Sequence, residues 1–257
     1  MFYPKTVLKP AVRTMLVPVL IVREDIAVLR RHIKASAIVI GVGLMVTGCA
    51  VTPVKMGAAA IVGDGRVSIA TLGAEVTNLS QAAKQYPGVV NLTATEETQS
   101  TLSWLIRYQI SEELARQQGI TVSAAQAEAA LALAYATARS AAEQQGLTNV
   151  TPTLILAASG IPPNTAPELG RYEAIANEYL KIANGGTTPT SSSAQTAAEN
   201  KLNQAQCQAA KALNIMVNPQ FGQLDYTQYQ VVSAPSPVTR PQGPSTAPSP
   251  VATAPAC

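Results

Sequence analysis

Six helix-length stretches, the first five each ended by a strong breaker, constrain the fold of this chain more than any other feature. The first is expected from about Ala70 to Lys84. Leu72, Val76, Leu79 and Ala83 recur there at helical spacing, and Tyr86-Pro87-Gly88 stops it. The second runs from about Thr95 to Gln118, with Leu102, Leu105, Ile106, Ile110 and Leu114 as its apolar stripe. Glu96 and Glu97 fall in its first turn, where the macrodipole favours them, and Gly119 suits a left-handed C′ position followed by apolar Ile120. Ser123-Ala124-Ala125-Gln126 is a capping box that opens a third helix, which runs to about Gln145 and ends at Gly146. Thr151-Pro152 starts a short fourth, which Ser159-Gly160-Ile161-Pro162-Pro163 breaks. A fifth runs from about Ala166 to Asn184, with Leu169, Tyr172, Ile175, Tyr179 and Ile182 inward, and Gly185-Gly186 ends it. After the polar linker Thr187 to Ser193, a sixth spans about Ala194 to Asn214. Leu202, Cys207 and Leu213 give that helix its apolar side.

The flanks of this helical block are β-like. Ala58 to Ile69 reads as two short strands about Gly63-Asp64-Gly65, a turn that needs positive φ. No Gly-Lys-Ser/Thr follows those glycines, so a phosphate loop is not indicated. Ile215-Met216-Val217 is β-like again, followed by Asn218-Pro219-Gln220-Phe221-Gly222. Hydrophobic residues make up 47% of the chain but aromatics only 4%, which points to small-residue helix packing in place of aromatic layers. One domain over 58–232 is expected. Residues 233–257, rich in Pro, Ser, Thr and Ala, cannot offset ordering entropy and are expected to be disordered.

Ahead of the domain, a basic cluster (Arg30, Arg31, His32, Lys34) precedes the apolar segment Ala35 to Val46 and then Val46-Thr47-Gly48-Cys49. Basic, apolar, then small residues is the build of a secretory signal, here 1–48. The apolar segment is far shorter than the roughly 20 residues of a stable span. At Val46, Thr47, Gly48 and Cys49 the chain resembles a bacterial lipoprotein precursor, position by position, with Thr47 a less usual residue at its place. The resemblance implies that Cys49 receives a diacylglyceryl group and becomes the mature N-terminus, with 49–57 as a tether on the outer face of the cell membrane. A second apolar patch, Met15 to Val22, follows Lys5, Lys9 and Arg13 and is also too short to span. Residues 1–21 or so are therefore expected to precede the working start of translation, near Val22 or Val28.

The formal charge of +3 conceals an asymmetry: residues 1–48 carry a net +5 and the remainder a net −2. The remainder has no basic run, which argues against nucleic-acid binding. His32 is the only histidine and lies in the signal. Without it, Ser-His-Asp and Cys-His catalysis and the commoner zinc sites are excluded, and no Asp-rich loop suggests a hard cation. No catalytic, metal or cofactor residues are expected. The carboxylate pairs Glu96/Glu97 and Glu112/Glu113 are the raw material for any acid–base chemistry, but neighbours in sequence diverge around a helix and read as solvated faces. Cys207 and Cys257 could pair in an oxidising compartment; Cys207 is read as a small core residue.

Three stretches together resemble the N-terminal chaperone domain of the periplasmic folding factor SurA, in the single-domain lipoprotein form of actinobacteria. They are Ala59-Ala60-Ile61-Val62-Gly63 with Arg66-Val67-Ser68-Ile69; Leu105-Ile106 through Ala115-Arg116-Gln117-Gln118-Gly119-Ile120-Thr121-Val122-Ser123; and Val217-Asn218-Pro219-Gln220-Phe221-Gly222. The resemblance implies a mainly α, SurA-N-like domain with a small β-sheet joining its two ends. A third strand from 215 to 221 would complete the hairpin's sheet, with Asn218-Pro219 at an edge. Ala70 departs from relatives, which often place a capping Ser or Thr there. The parvulin isomerase domains of SurA proper, and the histidines they use, are missing. The expected role is a membrane-anchored, non-enzymatic chaperone or holdase for unfolded exported polypeptides. A structural or adaptor lipoprotein binding one envelope partner is the alternative, and a peptidyl-prolyl isomerase stands behind both.

Overall fold

A computed structural model describes residues 57–234. The expected signal (1–48), with Val46 to Cys49, the expected tether up to residue 56 and the residues from 235 onward lie outside the described residues. Within them are six α-helices: α1 (Ile69–Lys84), α2 (Ala94–Gln118), α3 (Ala124–Gln144), α4 (Pro152–Ala158), α5 (Ala166–Ala183) and α6 (Ser192–Ala212). A 3-10 turn, Pro163–Thr165, leads into α5. The strands are β1 (Ala58–Val62), β2 (Gly65–Ser68), β3 (Met216–Val217), β4 (Gln223–Asp225) and β5 (Gln230–Val232). The domain is mainly helical with a small antiparallel sheet.

The helix ends follow the local chemistry. Ser68 Oγ accepts the Thr71 N–H at 2.9 Å, so the first cap falls on Ser68 and the departure at Ala70 leaves that helix capped. Thr93 and Glu96 form a capping box on α2, and Ser123 and Gln126 form one on α3. Gly119 adopts φ 65°, and the Ile120 N–H returns to the Ala115 carbonyl at 2.9 Å. Ser191 caps α6, which therefore begins inside the expected linker.

One sheet has the order β2-β1-β3, all antiparallel, with Ala60 opposite Val217. The first and last expected strands do meet. The closing strand is only two residues long, because the chain leaves the ladder at Asn218, whose N–H and side-chain amide still bind the Ala59 and Ala58 carbonyls. Gly63, at φ 57°, is required where it stands: a Cβ there would lie 2.8 Å from the Leu213 side chain. A second sheet, the β4–β5 hairpin, is an addition to the sequence reading.

Helix α2 runs through the middle and is buried on several sides. Leu102, Ile106, Ile110 and Leu114 join Leu72, Ile175, Leu180, Leu202 and Val62 in the main core, while Trp104 and Tyr108 face a second cluster with Leu156, Ile161 and Leu169. Each fully buried Leu or Ile contributes about 1.5–3 kcal/mol. Helix α6 packs through Ala198, Ala205, Ala209 and Ala210, the small-residue packing that the composition suggested. Two inward assignments are corrected. Ile182 is 50% exposed, because Leu180 takes the inward place in the last turn of α5. Cys207 is half-buried at the edge of the α6 stripe and is disulfide-bonded. Helix α3 is the outlier. Of its 21 residues just Ala130 is buried, and it rests chiefly on α5.

Candidate functional site

The crossing of α3 over α5 is set by Gly170. A Cβ at that position would lie 2.6 Å from the Ala127 carbonyl oxygen, so the two backbones touch there. Beside that contact opens a cavity of about 420 Å³ with mostly apolar walls: Ala124, Ala127 and Leu131 on one side, Ala166 and Pro167 on the other. Ser123, Glu128 and Arg171 form its polar rim. Arg171 is held in the rim by two partners. Its guanidinium pairs with Glu112 and donates to the Val122 carbonyl at 3.2 Å, latching the loop between α2 and α3 onto α5. Pockets of this size and polarity hold a few apolar side chains or a small ligand.

Under the groove lies a buried aromatic and cationic cluster. Trp104, Tyr108 and Tyr172 pack with centroids 5.8–6.2 Å apart, Tyr172 edge-on to both others and the Trp104–Tyr108 pair tilted at 38°. The Arg107 guanidinium carbon lies 4.8 Å from the Trp104 ring centroid, and Nη2 donates to the Gln228 carbonyl at 2.9 Å. Arg107 is 6% exposed, and among the described residues no carboxylate pairs with it.

Arg107 belongs to a polar row, Gln99, Ser103 and Arg107, spaced four residues apart on one face of α2. Ser103 Oγ accepts the Val231 N–H at 2.8 Å. Gln99 Nε2 donates to the Phe221 carbonyl at 3.4 Å and to Ser233 Oγ at 3.1 Å. The row thus holds the β4–β5 hairpin largely by its backbone. Sequence reasoning overlooked these residues. Three polar side chains four apart on a helix otherwise marked as core was the available signal.

The carboxylate pairs separate as helix geometry requires, but they are not all solvated. Glu96 closes its capping box, Glu112 holds Arg171, and Glu113 pairs with Arg116 and Gln117. Glu97 is 9% exposed, a correction to its reading as part of a solvated face: it points inward in the first turn of the central helix. The Arg116 guanidinium holds the Glu113 carboxyl below the usual carboxylate range. Burial pushes the Glu173 carboxyl up to about 7, and no hydrogen bond or ion pair among the described residues offsets it. Burial and then the neighbouring Glu168 raise Glu75, whose Oε2 has no hydrogen-bond partner. Burial also pushes Tyr229 up to about 12.

Among the described residues no cluster of three or more His, Cys, Asp or Glu could hold a metal ion, and no helix is long and apolar enough to cross a membrane. Cys49, expected from the sequence to carry the lipid, and the motif residues Val46, Thr47 and Gly48 lie outside the described residues. Compared with models of known protein families, with curated proteins and with solved structures, the chain gave no match.

Proposed function

We propose that this chain is an extracytoplasmic lipoprotein, fastened to the outer face of the cell membrane through Cys49, whose helical domain is a non-enzymatic holdase for unfolded exported polypeptides. The finer fold we propose is SurA-N-like; the pairing of β1 with β3, which joins the ends of the domain, supports it. The observation that carries the functional reading is the groove between α3 and α5, open beside a long helix of which just Ala130 is fully buried. Ala124, Ala127, Leu131, Ala166 and Pro167 offer shallow apolar walls that suit side chains of many shapes. The polar rim leaves a bound segment's backbone its hydrogen bonds. The outer edge of β2 is a second place where an extended segment could add.

Suppression of aggregation, followed by light scattering with several unrelated chemically unfolded proteins, tests this. The wild type should suppress all of them, and the double variant Ala124→Glu, Ala127→Glu should suppress much less, since it sets charge in the apolar walls. Equal behaviour of the two proteins refutes the groove. Tight capture of one envelope protein with no general suppression moves the assignment to the adaptor alternative, and prolyl isomerisation above background removes the non-enzymatic claim. A purified product without fatty acid on Cys49 refutes the anchor.

A further inference from the structure

Helices α3 and α6 are both 21 residues long, yet they show water different surfaces. The outer face of α6 carries Asn200, Lys201, Asn203, Gln204 and Gln208, as a surface helix requires. The outer face of α3 carries Ala125, Ala129, Ala132 and Ala136 at steps of four, three and four, with Leu133 63% exposed beside them. That is the spacing and the apolar character of a helix seam with nothing packed on it. The charges of α3 are also misplaced for a helix standing alone. Its first turn holds no acid and its last turn no base, while Glu143 sits in the last turn, where the macrodipole disfavours a carboxylate. Glu128 and Arg139 are exposed, and neither belongs to an ion pair among the described residues.

A second copy of α3, laid antiparallel on the first, supplies what each of these features lacks. We propose that α3 is the seam of a symmetric homodimer, whose twofold axis passes the helix between Leu133 and Ala134. Glu128 and Arg139 lie eleven residues apart, or three helical turns, and equally far from that point. The antiparallel register therefore sets Glu128 level with Arg139 of the second copy, and Arg139 level with its Glu128. Twofold symmetry keeps both pairs on one side of the seam. Leu133 meets Leu133 of the second copy on the other side, and the alanines between let the two backbones approach closely. The same register brings Glu143 level with Ala124 of the second copy, at the helix start that has no acid of its own. One register satisfies the charge pair, the exposed leucine and the misplaced glutamate together. That self-complementarity selects a second copy over a client segment or an unrelated partner. The seam is about 30 Å long, a small interface, so micromolar association is expected. The dimer requires neither the lipid anchor nor a bound client.

Sedimentation velocity of the full-length protein, in density-matched detergent and over a dilution series, tests the seam. The wild type should pass reversibly from dimer to monomer. Glu128→Arg or Arg139→Glu turns two attractions in each dimer into repulsions and should weaken association about tenfold. The swap Glu128→Arg, Arg139→Glu puts opposite charges back in register and should restore the dimer, an outcome that misfolding cannot produce. Benzoylphenylalanine in place of Leu133, activated by light, should cross-link to residues 130–137 of the second copy. A wild type that stays monomeric up to about 0.3 mM overturns the proposal. So does a dimer indifferent to the single reversals, a swap that does not recover, or a cross-link that maps outside α3.

Discussion

Replacing Glu173 by Gln should make the protein more stable at neutral pH and flatten its pH dependence. The Glu173 carboxyl titrates near 7, against 4.5 for an ordinary glutamate, because burial disfavours its charged form. The folded state therefore holds the proton more tightly than the unfolded chain. The cost is absent below about pH 4.5, where both states are protonated, grows as pH rises, and is complete above 7. A displacement of that size corresponds to about 3 kcal/mol. The side chain keeps part of its surface in water, so about 2–3 kcal/mol is expected. Histidine usually dominates the interval from pH 5 to 7, but the described residues contain none, and His32 is common to both proteins. Glu75 acts in the same direction, while Glu113, held low by Arg116, loses its contribution as pH falls through the acid range; both cancel in the comparison. Urea unfolding of wild type and Glu173→Gln at pH 4.5 and pH 8 measures the effect. The wild type should lose about 2–3 kcal/mol more than the variant between the two conditions. Parallel losses would refute the account of a carboxyl buried without a partner.

Ser103→Ala should cost about 1–3 kcal/mol in urea unfolding, because it orphans the buried Val231 N–H, and hydrogen exchange at that amide should accelerate over the rest of β5. Gly170→Ala sets two effects against each other. Helix propensity would favour alanine by about 1 kcal/mol, but the new methyl meets the Ala127 carbonyl at 2.6 Å and should cost about 1–3 kcal/mol. Net destabilisation is expected, with raised solvent exposure of the α3–α5 seam by hydrogen exchange; a stabilised variant would contradict the close crossing.

Helix ends were legible because they are written locally. Thr93-Ala94-Thr95-Glu96 and Ser123-Ala124-Ala125-Gln126 satisfy their own backbone, and Gly119 meets a requirement on φ that neighbours cannot change. The hairpin around Gly63-Asp64-Gly65 was legible for the same reason. What surrounds each helix was not. Gln99, Ser103 and Arg107 have the residue types of a wet face, and distant residues 221–233 make that face dry. The β4–β5 hairpin escaped notice because its strands are three residues long and its turn uses Tyr229 at φ 51°, where glycine would have given the turn away. Ile182 follows the helical period of Ile175 and Tyr179, yet period alone does not say where a helix outruns its neighbours. The groove depends on Gly170 and Ala127, two small residues from separate helices whose meeting no local pattern announces.

The ladder between Ala60 and Val217 also sets when the domain can fold. Its first strand is made early in synthesis, and the strand that seals it comes almost last. Until then the buried alanines of β1 have one flank open and α2 lacks the hairpin that dries its polar row. The loop to be closed is nearly the whole domain, which makes completion slow compared with the formation of its helices. A domain wired in this way gathers its helices first and locks only once nearly all of its chain is available.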